Sequence, residues 1–246
     1  MKCMLLAAGL GTRLRPLTET VPKCLVPIHG KPLMEYWFDL LFGDGAVERV
    51  LVNTSYLAEA VRAHVAVSPW RSRVDLVHED ELLGTGGTLL RNRDWFGNEA
   101  FIVAHGDNLT RFDVRAFIER HRIRPAGVEI TMMTFRTDDP RSCGIVEIDE
   151  NGIVQAFHEK VSNPPGNNAN AAVYIFEQSV LDVIQDFGKE FVDISTDVLP
   201  KYMGKIGIFL NDVYHRDIGT LESLSAAERE YGCETGLGEK NAPERV

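Results

Sequence analysis

A chain of 246 residues suits one large domain, or a domain carrying a modest subdomain, and can bury a sizeable core. Its 26 Lys and Arg against 36 Asp and Glu give a net charge of −10, and 44% of it is hydrophobic, an ordinary globular composition. So acidic a balance excludes general binding to nucleic acid or an anionic membrane, which asks for a basic face. The charge is nevertheless unevenly placed: residues 1–31 hold Lys2, Arg13, Arg15, Lys23 and Lys31 against Glu19 alone, a local +4 that leaves −14 on the remainder. A basic, glycine-bearing start on an acidic chain points to a local anion site.

Taken in chain order, residues 4–8 read as a first strand feeding a glycine loop. The start superficially resembles a short signal peptide, but the apolar run ends in Gly9-Leu10-Gly11-Thr12-Arg13 without a small-residue cleavage pattern. Residues 32–42 and 56–67 have helical period, with Pro32 suited to a first helical turn, and 49–53, 74–78 and 101–104 read as further strands. Residues 114–122 form another amphipathic helix candidate after Gly106-Asp107. Strands alternating with helices at this spacing imply βαβ units and a mainly parallel sheet covered on both faces. The second half is richer in β structure, at 128–135, 145–148, 153–158 and 171–176, with a hairpin turn at Asp149-Glu150-Asn151-Gly152 and a loop at 163–168. Helices are expected at 179–187, 197–203 and 220–231, followed by a frayed tail at 232–246. The whole reads as one α/β fold, a Rossmann-like mixed and mainly parallel sheet sandwiched by helices, with a β-rich part added.

Cys3, Cys24, Cys143 and Cys233 form no CxxC pair and the seven histidines show no HxxxH spacing, so neither a disulfide framework nor a zinc site is expected. A reducing cytoplasm suits this usage, and no run of 18 apolar residues suggests a membrane span. The glycine loop departs from both familiar phosphate motifs. A dinucleotide fingerprint would need glycine where Leu14 stands, and a Walker A loop would need Ser or Thr where Pro32 follows Gly30-Lys31. What remains is a turn whose glycines let backbone amides approach an anion, with Arg13 able to fork onto phosphate oxygens and Lys23 supplying a second charge. Alone, such a stretch is also readable as a tight turn.

The full string from Leu6 to Pro27, LAAGLGTRLRPLTETVPKCLVP, resembles the signature of sugar-1-phosphate nucleotidyltransferases, the nucleoside-diphosphate-sugar pyrophosphorylases. Further stretches match in order: Leu83-Gly84-Thr85-Gly86-Gly87, Gly106-Asp107, Gly144-Ile145-Val146, His158-Glu159-Lys160, Asn170-Ala171-Ala172-Val173-Tyr174 and Asp217-Ile218-Gly219-Thr220. The likeness spans roughly residues 2–230. It implies the nucleotide-diphospho-sugar transferase fold, a single catalytic domain over 1–231 with a nucleotide-binding part at about 1–110 and a sugar-binding part at about 111–231, and Mg²⁺ as cofactor. Ala8, Gly9, Gly11, Thr12, Arg13, Glu79, Gly84 and Thr85 would then meet the nucleotide, and Gly144, Glu159, Lys160 and Asn170 the sugar phosphate. Arg13 and Lys23 would neutralise phosphates near the reacting centre, while Asp107 and Asp217 would hold the metal. For His105 and His158 a packing role is expected.

The implied substrates are a nucleoside triphosphate and a sugar 1-phosphate. Glu79 stands where the family reads the base, and a carboxylate is a natural acceptor for the two adjacent donors of guanine. The segments around Phe157–Val161 and Tyr214–Asp217 resemble those of bacterial mannose- or heptose-1-phosphate guanylyltransferases, so GTP and a sugar of that type are favoured. Asn108 is a feature associated with thymidylyltransferases, so thymidylyl-, uridylyl- or cytidylyl-transfer, or a non-catalytic nucleotide-sugar-binding homologue, are the alternatives. Whether the chain pairs as a homodimer is left open by its sequence.

Overall fold

The computed structural model describes residues 1–232, so positions 233–246 of the expected tail lie outside the described residues. β1 (Lys2–Leu6) runs through the centre of the molecule, and its side chains alternate between two cores. Cys3 and Leu5 enter one and Met4 and Leu6 the other, as a strand covered on both faces requires. A small ribbon, β2 (Pro27–Ile28) and β3 (Lys31–Pro32), leads into α1 (Leu33–Phe42), whose Met34, Trp37, Phe38 and Leu41 recur at helical spacing against the first core. β4 (Arg49–Thr54), α2 (Ala58–Val67), β5 (Val74–His78), α3 (Gly84–Arg91), the short α4 (Arg93–Phe96) and β6 (Phe101–His105) follow. The second half comprises β7 (Asn108–Arg111), α5 (Val114–Arg122), β8 (Ile130–Arg136), β9 (Gly144–Ile148), β10 (Val154–Glu159), β11 (Asn168–Phe176), α6 (Ser179–Asp186), β12 (Ile206–Leu210), β13 (Tyr214–Asp217) and α7 (Leu221–Glu230).

Nine of these strands form one sheet. Its spine has the order β12-β8-β11-β6-β1-β4-β5, in which β11 alone runs against its neighbours, and β9 joins β11 at Ala169 with β10 paired on its outer side. The mixed, mainly parallel sheet expected from the sequence is therefore present. The β-rich second half joins it edge to edge, because β11 pairs directly with β6, Val173 facing Ala104 and Phe176 facing Phe101.

One local expectation differs, and some elements escape a reading of the sequence. The stretch 197–203 is not an α-helix but a wide turn at Ile194–Val198 followed by a tight one at Leu199–Tyr202, since Pro200 has no amide to donate into a continuous helical ladder. α3 was not anticipated because its Gly-Thr-Gly-Gly start has poor helix propensity. The ribbon of β7 and β13 lies too far apart in sequence to be seen as a pair. Among the described residues no helix is long and apolar enough to cross a membrane, and Cys3, Cys24 and Cys143 are free thiols.

Candidate active site

β1, β4, β5 and β6 run parallel, so their carboxyl ends open on one edge of the sheet. The chain leaves β1 toward β4 and leaves β6 toward β8, on opposite sides, which opens a crevice between them of the kind where α/β sheets bind ligands. Two adjoining cavities occupy it. The first, about 260 Å³, is lined among others by Ala8, Gly9, Lys23, Glu79, Gly84 and Thr85. The second, about 210 Å³, is lined by Arg13, Gly144, Glu159, Lys160, Asn170 and Asp217. His105 and Asp107 line both. Of the site residues expected from the sequence, Thr12 and Gly11 line neither: Thr12 is exposed in the turn, and Gly11 shapes it with φ +63° against Thr18 and the Lys23 stem.

Where the cavities meet, the charges converge. The buried Lys23 ammonium donates to Asp107 Oδ2 at 2.6 Å and reaches Asp217 Oδ1 at 3.5 Å, while Arg13 Nη2 lies 3.7 Å from Asp217 Oδ2. Asp107 and Asp217 are 110 residues apart, and the ribbon closes that gap. In it Asp217 pairs with Asn108, and the Ile218 amide donates to the Asp107 carbonyl at 3.0 Å. Gly219 leaves the space this needs, since a Cβ there would stand 2.6 Å from Asp217 Oδ2 and 2.9 Å from Arg13 Nη2. The ribbon is itself tied down: Trp37 Nε1 donates to the Asn108 carbonyl at 2.8 Å, and Asn108 Nδ2 to the Ala171 carbonyl at 3.3 Å. Burial by itself would raise the Asp107 carboxyl, but the Lys23 ammonium and, less strongly, His105 outweigh it and hold its pKa below the usual aspartate value.

Two carboxylates aimed at one cation position, with no third acidic or imidazole ligand among the described residues, make an incomplete cage for a metal. Such a donor set fits a hard divalent cation that completes its shell with substrate phosphate oxygens and water.

On the side of the first cavity, Glu79 is almost fully buried and its Oε1 accepts from Thr88 Oγ1 at 2.6 Å and from Asn53 Nδ2 at 3.2 Å. Asn53 in turn accepts from the Ala7 amide at 2.7 Å, which locks the end of β1 to the carboxylate. The glycines that begin α3 serve close approach. The Gly86 and Gly87 amides donate to the Val192 carbonyl at 2.8 and 3.2 Å, and Gly84, with φ +74°, passes so near that a Cβ would stand 2.5 Å from that same oxygen. Residues 190–193 thereby become a wall of this cavity. On the side of the second, Gly144 leaves room that a Cβ would take from the Phe157 ring and Glu159 Oε2. Asn170 sits at a register shift in β11, its Oδ1 accepting from the Ala172 amide at 2.9 Å and its Nδ2 donating to Tyr174 Oη at 2.7 Å. Its amide fixes this bulge, in which Ala172 has φ +53°. Lys160 directly follows β10 with φ +49°, its exposed ammonium 3.4 Å from Glu159 Oε1.

Sequence reasoning missed several lining residues. His105, expected only to pack, lines both cavities, and burial lowers its pKa. His215 lines the second cavity against the Phe135 ring, and burial lowers its pKa to about 3. Phe191, Asp193 and Ser195 arrive from a segment with no motif, and both halves of the chain contribute to both cavities.

The profile of the Nucleotidyl transferase family matches residues 2–233. The chain is 34% identical over 226 residues to a mannose-1-phosphate guanylyltransferase of Mycobacterium tuberculosis, a match covering 90% of this chain and 62% of the relative. It is 35% identical over 215 residues to a UTP–glucose-1-phosphate uridylyltransferase of Synechocystis, covering 82% of this chain and 55% of that one. The chain thus spans little more than half the length of these relatives. Among solved structures, HddC from Yersinia pseudotuberculosis complexed with GMP-PN superposes with a TM-score of 0.75 at 29% identity, over 94% of this chain and 99% of that one. A profile covering nearly the whole sequence, and relatives this similar over most of it, establish that the chain belongs to the nucleotidyl transferase family.

Proposed function

We propose that the chain transfers a guanylyl group from GTP to a mannose- or heptose-type sugar 1-phosphate, releasing pyrophosphate. The observation that carries this reading is the cluster of Arg13, Lys23, Asp107 and Asp217 at the junction of two adjoining cavities. In the reaction a phosphate oxygen of the sugar 1-phosphate attacks the α-phosphorus in line, forming a new P–O bond as the bond to the β-phosphate breaks. The nucleophile is already ionised near neutral pH, so no side chain must take its proton. The remaining difficulty is bringing two polyanions together, which positioned cations relieve. Lys23 and Arg13 bind phosphate oxygens at the reacting centre, and Glu159, Lys160 and Asn170 orient the sugar phosphate. Asp107 and Asp217 would hold Mg²⁺, which when bound neutralises developing charge on the phosphates. The parts at about 1–110 and 111–231 serve mainly nucleotide and sugar respectively.

The relatives do not select the base, since a guanylyltransferase and a uridylyltransferase are similarly identical to this chain. Glu79 supports guanine: its carboxylate lines the first cavity and suits the adjacent N1–H and amino donors of that base. A reducing cytoplasm suits the free thiols. Pyrophosphate release across a panel of nucleoside triphosphates and hexose or heptose 1-phosphates, with and without Mg²⁺, tests the whole reading. Release with GTP and a mannose-type sugar, dependent on metal, is expected. Turnover with UTP or dTTP but not GTP overturns the base assignment, and silence with every pair overturns the enzymatic reading.

A further inference from the structure

We propose that Phe191 is a nucleobase-stacking residue, so that the face of the base is held by this ring while its edge is read by Glu79. The inference rests on the nucleotide-binding reading above and deepens it. Phe191 is 58% exposed and is the only exposed Phe among the described residues. Leaving a large apolar ring in water forgoes its burial, and this ring lines the first cavity together with Leu82, itself 43% exposed.

The ring is exposed without being loosely held. The Val192 amide donates to the Leu83 carbonyl at 3.0 Å, and the Val192 carbonyl accepts from Gly86 and Gly87, so the backbone next to Phe191 is fixed on both of its polar groups. Phe191 Cζ would lie 3.2 Å from a Cβ at Gly84, which places the tip of the ring against that glycine. The Gly84 carbonyl is 3.0 Å from Thr88 Oγ1, and the same hydroxyl donates to Glu79 Oε1 at 2.6 Å. One residue and one hydroxyl therefore separate an aromatic ring from a buried carboxylate on the same cavity. A flat heterocycle with donors on its edge is the ligand that uses both. Stacking is indifferent to base identity because every base has a π face, whereas a carboxylate is selective. Phe191 thus supplies affinity and Glu79 supplies choice.

The test is equilibrium titration of the full chain with GTP, ATP, UTP and CTP, and with inorganic tripolyphosphate as a ligand without a base. Phe191→Ala is expected to weaken whichever nucleotides the unaltered chain binds by roughly 5- to 150-fold, the range for losing one base–aromatic stack. Affinity for tripolyphosphate should stay unchanged, which a misfolded variant could not achieve. Phe191→Leu keeps apolar bulk without a π face and should fall between the two. Phe191→Trp should retain affinity and add a fluorescence change on nucleotide binding beyond any given by the three native tryptophans. If Phe191→Ala or Phe191→Leu binds nucleotide as tightly as the unaltered chain, the stacking role is overturned. If UTP binds and GTP does not, the guanine assignment falls while the Phe191 effect is still read on UTP. If no nucleotide binds the unaltered chain, both fall.

Discussion

Gly84→Ala tests whether the wall of the first cavity is held by direct contact between α3 and residues 190–193. Two costs add at this position. The backbone at φ +74° is one that an L side chain adopts at roughly 1–2 kcal/mol. The new methyl would also stand 2.5 Å from the Val192 carbonyl oxygen and 2.9 Å from its carbon, backbone atoms that cannot rotate away. Overpacking of that kind costs about 1–3 kcal/mol, so the total is about 2–5 kcal/mol. In a chain of this size each kcal/mol lowers the melting temperature by about 2–4 °C, so a fall on the order of 5–20 °C is expected. Gly45→Ala is the matched control: Gly45 has φ +75° with nothing within 4 Å, so it carries the backbone cost alone. Calorimetric melting of both variants isolates the collision as the difference between them. Because the displaced segment carries Phe191 and Asp193, the KM for nucleotide should rise in Gly84→Ala more than the KM for sugar phosphate. Equal melting temperatures for the two variants would refute the contact as described.

Replacing Asp107 or Asp217 by Asn should abolish metal-dependent pyrophosphate release while leaving the melting profile cooperative; near-normal turnover would remove that residue from the metal role. Trp37→Phe removes the donor to the buried Asn108 carbonyl and should cost about 1–3 kcal/mol in urea unfolding, with unchanged stability counting against that bond. His121 is buried between Thr131, 2.8 Å from Nδ1, and Glu177, 3.1 Å from Nε2. Burial, and then the nearby Arg124, lower its pKa to about 4 against the opposing pull of Glu177. Between its ordinary value near 6.5 and about 4 the unfolded chain therefore takes up a proton that the folded chain refuses, so stability falls as pH drops through that window and levels off below it. In His121→Gln the slope of unfolding free energy against pH should be shallower there by up to one proton, and an unchanged slope would show that His121 does not titrate as described.

The succession of apolar runs and helical periods was enough to read β1, β4, β5 and β6 and the helices α1 and α2, because each is a local pattern imposed by a sheet buried on both faces. The glycine loop, with Arg13 and Lys23 after it, was equally legible, since a turn and its charges lie within a few residues of one another. Nothing local could show that Asp217 comes beside Asp107. That meeting depends on the pairing of β7 with β13 across a hundred residues, and neither strand is long or apolar enough to announce itself. Phe191 was invisible for the same kind of reason. Its significance comes from Gly84, Gly86 and Gly87 admitting the backbone of Val192, and contacts between distant segments leave no period in either one. The sequence by itself determined the alternation of strands and helices, the glycine turn and the charges carried beside it. Only the tertiary structure decided which carboxylates meet at the Lys23 ammonium and which aromatic ring lines the cavity, because those depend on register and close approach between segments remote along the chain.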